Sequence, residues 1–335
     1  MNILKEVKSF NKADWKGKIM TVNGLIPAEA MSGYSLAHDH LINKHQGPDI
    51  DIDDVEAVIQ DMKTFYELGG RTVIEQSNER IGRDPKALKR ISKETGVNVV
   101  MGSGYYKEAW MPVEALSKSI EEMAQKIYDD IVIGLEADGE RIHAGHIGEI
   151  GTSRNITEVE ERSVRASVRA QKLTGAAISI HFDLDALPCE HDYVVSILED
   201  ENADPRRIVI NHIVSKLDNI DEIIRLTKKG YNITLDHFSL DVDERMVKLI
   251  DTTFEEQMVT IKELLRLGQI DHLMLSQDTC FKACLTANGG KGYTRIINDV
   301  IPFLHRLHVN EYDIDRLTMH TVRKVFTLGG RFPSY

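Results

Sequence analysis

Ser35-Leu-Ala-His-Asp-His-Leu41 is a short apolar stretch that runs into two imidazoles spaced two residues apart. Side chains at i and i+2 of a strand point to the same face, so a strand ending here presents His38 and His40 together to one metal ion. Taken alone the motif is weak. With 13 histidines in 335 residues, chance gives a His-x-His in roughly one such chain in two. The rest of the chain sharpens it, because Glu149, His181, His212 and Asp278 each close a short apolar run of their own. Together the six describe a two-metal hydrolase site.

Working outward, the candidate strands are 35–40, 72–76, 97–102, 144–150, 177–181, 208–212, 232–236 and 272–278. Between them lie amphipathic stretches. In Asp53 to Phe65 the apolar residues Val55, Val58, Ile59, Met62 and Phe65 follow helical spacing. Glycines follow these stretches (Gly69-Gly70, Gly96, Gly175, Gly230, Gly268), as expected where a helix stops and the chain turns into a strand. Eight strands with helical crossovers predict an α/β fold, a (β/α)8 TIM barrel, whose chemistry gathers at the C-terminal strand ends. Every candidate ligand sits at such an end. A doubly wound open sheet is the competitor, but no Gly-x-Gly-x-x-Gly follows the first strand. We expect one domain over residues 1–335, with 1–34 an N-terminal extension and 35–335 the barrel. In the extension, Thr21-Val-Asn-Gly-Leu-Ile-Pro27 reads as a hairpin that closes the barrel floor.

Composition narrows the partners. A formal charge of −12 and a pI near 5.6 argue against nucleic acid or an anionic membrane surface, because phosphate recognition wants a basic face. No apolar run approaches the ~20 residues of a membrane span, and Met1 to Phe10 has no signal-peptide core, so a cytoplasmic protein acting on a small molecule is expected. A homodimer is the general expectation for such a chain. Cys189, Cys280 and Cys284 form no metal-type pair of pairs and are read as reduced thiols.

At this point the motifs carry a resemblance. The hairpin and His38-Asp-His40, then Gly104-Tyr-Tyr-Lys-Glu-Ala-Trp-Met-Pro112, Gly148-Glu-Ile-Gly-Thr-Ser153 and Ala287-Asn-Gly-Gly-Lys-Gly-Tyr293, taken in this order, resemble the phosphotriesterase family of the amidohydrolase superfamily. The likeness spans about residues 20 to 330 and is strongest to the branch in which a glutamate replaces a carboxylated lysine as the bridge between two metals. The resemblance implies that Glu149 is that bridge. It implies that His38, His40 and Asp278 hold the more buried ion, and His181 and His212 the more exposed one. Zn is the first expectation, while Mn, Co and Ni suit the same imidazole and carboxylate ligands.

Two ions about 3.5–4 Å apart need a bridging carboxylate and hydroxide between them, and that hydroxide is the nucleophile expected here. Asp278 is the catalytic shuttle that takes the nucleophile's proton and returns it to the leaving group. His237 is read as a relay that passes this proton outward. The family's usual aspartate after the strand-six histidine is absent, since Ile213-Val-Ser-Lys216 follows His212. For substrate binding we expect Tyr105 and Lys107 beyond strand three, with Lys107 facing an anionic group, and Lys282 beyond strand eight, where Asn288 to Tyr293 reads as a phosphate-binding loop or a lid. The bland reading of each histidine is a hydrogen-bonded core or rim residue, and of each lysine a surface charge. His45, His143, His146, His191, His272, His305, His308 and His320 are assigned no role.

The expected function is hydrolysis of a lactone, carboxylic ester or amide, including sugar and phosphorylated lactones. The alternatives are a promiscuous phosphotriesterase-like esterase and a metal-containing barrel that binds a ligand without turnover.

Overall fold

In the computed structural model, which describes residues 10–213, 220–242, 247 and 252–329, the apolar runs become strands and the amphipathic stretches become helices in the expected alternation. The segments Met1 to Ser9 and Val214 to Lys216 lie outside the described residues. After a short helix α1 (Lys12–Trp15), β1 (Lys18–Thr21) and β2 (Gly24–Pro27) pair antiparallel as the expected hairpin, Ile19 opposite Ile26. The barrel strands follow as β3 (Tyr34–Asp39), β4 (Gly70–Glu75) and β5 (Asn98–Ser103). A surface hairpin, β6 (Leu135–Ala137) with β7 (Glu140–Ile142), intervenes. The barrel resumes with β8 (His146–Thr152), β9 (Ile178–Phe182), β10 (Ile208–Asn211), β11 (Asn232–Leu235) and β12 (Leu273–Leu275). Sheet order runs β3-β4-β5-β8-β9-β10-β11-β12, with every neighbouring pair parallel.

Crossover helices are set by their ends. Asp54 caps α2 (Val55–Glu67), and Asp84 with Pro85 starts α3 (Pro85–Thr95). Ser119 with Glu122 and Thr157 with Glu160 form capping boxes on α4 (Ile120–Val132) and α5 (Glu158–Thr174). Gly96 and Gly175 then end α3 and α5 in left-handed backbone, which glycine adopts without a Cβ penalty. Further on lie α6 (Pro188–Asp200), α7 (Ile220–Lys228) and α8 (Phe254–Arg266).

The first and last strands meet along a seam that closes the barrel at its functional end. Asp278 N donates to His38 O at 3.3 Å and His40 N to Thr279 O at 3.2 Å, while His38 N donates to Ser276 Oγ at 2.8 Å. Asp39 reaches across the same seam, its Oδ1 accepting from Thr279 N at 2.9 Å and its Oδ2 from Ser276 Oγ at 2.6 Å. At the other end the hairpin forms the floor. Ile19 is fully buried in one cluster with Ala37, Ile74, Val100, Val209 and Met274, and Phe326 joins it from the terminal helix.

Three strands end earlier than their hydrophobic runs suggest. His212, His237 and Asp278 have φ of 67°, 73° and 52°; β10 stops at Asn211, β11 at Leu235 and β12 at Leu275, so each of these residues lies beyond its strand. Left-handed backbone costs a non-glycine residue on the order of 1–3 kcal/mol and collects where function over-determines the conformation. Glu149, in contrast, lies inside β8 rather than at its tip.

Candidate metal centre

All six expected ligands converge at the C-terminal mouth. His38 Nε2 stands 3.7 Å from Glu149 Oε2 and 3.6 Å from Asp278 Oδ1. His40 Nε2 stands 3.7 Å from Glu149 Oε1 and 3.6 Å from the same Asp278 oxygen. On the other side of Glu149, His181 Nδ1 lies 3.1 Å and His212 Nε2 3.9 Å from Oε2. Most of these separations are too long for hydrogen bonds, yet they approach the roughly 3.3 Å edge of a tetrahedron whose corners sit 2.0–2.1 Å from one Zn ion. His38 decides the fit. Its side chain is fully buried, and neither ring nitrogen has a hydrogen-bond partner among the described residues. A buried imidazole left this way costs about 1–3 kcal/mol unless a cation takes its lone pair. The donor set therefore suits divalent cations.

Partners beyond the six orient the rings. His40 Nδ1 lies 2.9 Å from Ser77 Oγ, whose own proton goes to Ile42 O. Ser77 thus accepts from Nδ1–H, which leaves Nε2 as the free ligand. His181 Nε2 faces outward, 3.1 Å from Tyr106 Oη and 3.7 Å from Asp183 Oδ1. His212 Nδ1 lies 3.3 Å from Asp236 Oδ1. Burial raises the Asp278 carboxyl well above its usual range, and the neighbouring Asp236 and Glu149 add to this against His212. Burial also opposes ionisation of Glu149, but His181, His212 and His38 outweigh it and hold that carboxylate ionised. Positive charge at the centre would relieve the carboxylates of their mutual repulsion.

His237 is at the centre, stacked on His212 with centroids 4.5 Å apart and planes at 16°. Its neighbour is Asp236, with Nε2 3.5 Å from Oδ1, and among the described residues no hydrogen bond joins it to Asp278. A carboxylate beside His212 thus comes from the end of β11, the sequence neighbour of His237.

Above the ligands a cavity of about 220 Å³ is walled by His45, Tyr106, Lys107, Trp110, Leu184 and Phe281, among others. Tyr105 is absent from this wall. It is buried in the main hydrophobic core, because successive residues leaving β5 face opposite ways, so Tyr106 takes the inward position. Lys107 is on the wall but is paired with Asp183. Lys282 points its Nζ to Pro48 O at 3.4 Å, away from the cavity wall. The 288–293 segment is tied down rather than poised as a lid: Gln277 Nε2 donates to Gly292 O and Tyr293 Oη to His40 O, both at 2.6 Å. His45 lies on the wall, edge-on to Trp110.

The sequence profile described as Phosphotriesterase family matches residues 17–326. The chain belongs to that family. It is 31% identical over 292 residues to the phosphotriesterase homology protein of Escherichia coli K12, covering 85% of this chain and 94% of that one. The crystal structure of that protein with phosphate in its active site superposes with a TM-score of 0.80 at 30% identity, over 88% and 99% of the two chains. An N-acetyltaurine hydrolase of Dictyostelium discoideum is 28% identical over 300 residues, 88% of this chain and 80% of that one. The lactonase Lmo2620 of Listeria monocytogenes shares the fold, with a TM-score of 0.82 at 22% identity over 93% and 99% of the chains. This family member is a metal-dependent hydrolase, built on the barrel expected from its strands. No helix among the described residues is long and apolar enough to cross a membrane.

Proposed function

We propose that the protein hydrolyses a small carboxylic substrate, a lactone, ester or N-acyl amide, with two divalent ions, Zn first among them. The observation that carries this reading is that Glu149 belongs to two ligand groups at once, one with His38 and His40 and one with His181 and His212. One carboxylate between two ligand groups is the arrangement a bridged pair of cations requires. His38, His40 and Asp278 would hold one ion and His181 and His212 the other. When bound, such ions supply Lewis acidity toward the scissile group and make a water acidic enough to ionise near neutral pH.

The remaining steps belong to the chain. Asp278, facing both strand-one histidines, takes the proton released by the attacking water and delivers it to the leaving oxygen or nitrogen. With an ion held at His181 Nδ1, its Nε2–H would donate to Tyr106 Oη, 3.1 Å away, which would free the tyrosine proton to donate toward the substrate's carbonyl oxygen. Trp110 and Phe281 present apolar surface and limit water around the scissile bond. A glutamate in place of a carboxylated lysine, and the similarity to N-acetyltaurine hydrolases, support a carbonyl over a phosphotriester substrate.

Proton release on lactones, carboxylic esters, N-acyl amides and phosphotriesters, with Zn-loaded and chelated protein, tests the reading. We expect chelator-sensitive turnover of a carbonyl class and its loss in Asp278→Asn. Turnover confined to phosphotriesters would reverse the substrate assignment.

A further inference from the structure

One ion pair at the edge of the cavity lies outside the ligand cluster, with Lys107 on the wall and its partner Asp183 beside His181. Lys107 Nζ donates to Asp183 Oδ1, and their side chains keep 15% and 26% of their exposure. The ammonium also lies 5.5 Å from the ring centroids of both Tyr106 and Trp110. Both partners are fixed by backbone. A Cβ on Gly151 of β8 would come within 2.4 Å of Lys107 N and 2.8 Å of its Cγ, so glycine there lets the lysine backbone seat against the strand. Asp183 Oδ2 accepts from Arg154 N at 3.1 Å, and Oδ1 lies 3.7 Å from His181 Nε2.

We infer that Lys107 and Asp183 form a charge-balanced filter that admits a neutral, hydrogen-bonding substrate arm and disfavours an anionic one. An anion that reaches Lys107 meets a carboxylate already bonded to the same ammonium, and in a partly dry cavity that repulsion cancels the lysine's attraction. A hydroxyl or amide can instead accept from Lys107 and donate to Asp183 without adding charge. The neighbour thus reverses what Lys107 suggests in isolation. The inference rests on the hydrolase reading only for its choice of substrates.

Three acetamides of similar length test it: N-acetylethanolamine, with a neutral arm, and N-acetyl-β-alanine and N-acetyltaurine, with anionic ones. KM is measured where they are hydrolysed, and Kd by calorimetry on the Zn-loaded protein in every case. The wild type should bind the neutral compound at least tenfold more tightly than either anion. Asp183→Asn should shrink that ratio at least tenfold, and Lys107→Met should widen it. Equal binding of neutral and anionic compounds by the wild type, an unchanged ratio in Asp183→Asn, or failure of all three to bind would overturn the filter. Binding with the expected ratios but without turnover would count against N-acyl amide hydrolysis and leave the filter standing.

Discussion

At the residue scale, the position that changes most between sequence and structure is Asp236. In the sequence it closes an apolar run and is overshadowed by His237, which looks like the functional residue. In the structure its carboxylate has no side-chain exposure and faces His212 at 3.3 Å and His237 at 3.5 Å. A carboxylate behind a metal-binding imidazole fixes its tautomer, and loss of such a partner typically weakens metal binding 10–100-fold. Asp236→Asn should therefore loosen one ion by about that factor and leave the other nearly as tight, as read by chelator competition. Glu75 makes a different prediction. It is fully buried in the barrel, and burial pushes its carboxyl up to about 8. Between the unfolded value near 4.5 and about 8, the folded protein keeps a proton that the unfolded chain releases, so its contribution to stability falls as pH rises through that window. In Glu75→Gln this decline should vanish. In urea denaturation the stability of the variant should gain on the wild type from pH 5 to pH 8.5, by an amount on the order of a few kcal/mol at the upper end.

At the scale of the elements, helix and strand positions were legible because they obey local periods, and the hairpin because it carries its own turn residues. The seam was not. Asp39 lies 240 residues from Thr279, its hydrogen-bond donor, and no local pattern announces a contact of that span. The same holds for the 288–293 segment. Its glycines read as a mobile loop, whereas Gln277 and Tyr293 hold it against the barrel. The candidate ligands were easier to pick out than wall residues, since an imidazole or carboxylate ending an apolar run conflicts with its surroundings, while Trp110 and Leu184 do not. Ser276 is the cheapest probe of the seam. Ser276→Ala removes the hydroxyl that serves His38 and Asp39 and leaves a buried carboxylate short of a donor. A loss of about 1–3 kcal/mol is expected in urea denaturation, together with weaker binding of the buried ion.

At the scale of the whole molecule, floor and mouth do different work. Ile19 and its cluster plug the bottom with apolar contact, and Ile19→Ala should cost about 2–5 kcal/mol by urea denaturation with little change in metal affinity. The mouth instead gathers the candidate ligands. Since the folded barrel alone assembles the ligands, chelation should lower Tm, and a free ion concentration a hundred times its Kd stabilises by about 2.7 kcal/mol.

The seam also carries a consequence for how the protein is made. Synthesis is vectorial, so strand one leaves the ribosome well before Ser276, Asp278 and Thr279, its partners across the seam, with Thr279 240 residues after Asp39. A nascent chain halted before β12 offers imidazoles without their closing carboxylate, on a sheet with an open edge. The full set of candidate ligands is therefore assembled only after β12 has been made, which sets the earliest point at which a chain can hold metal on all of them.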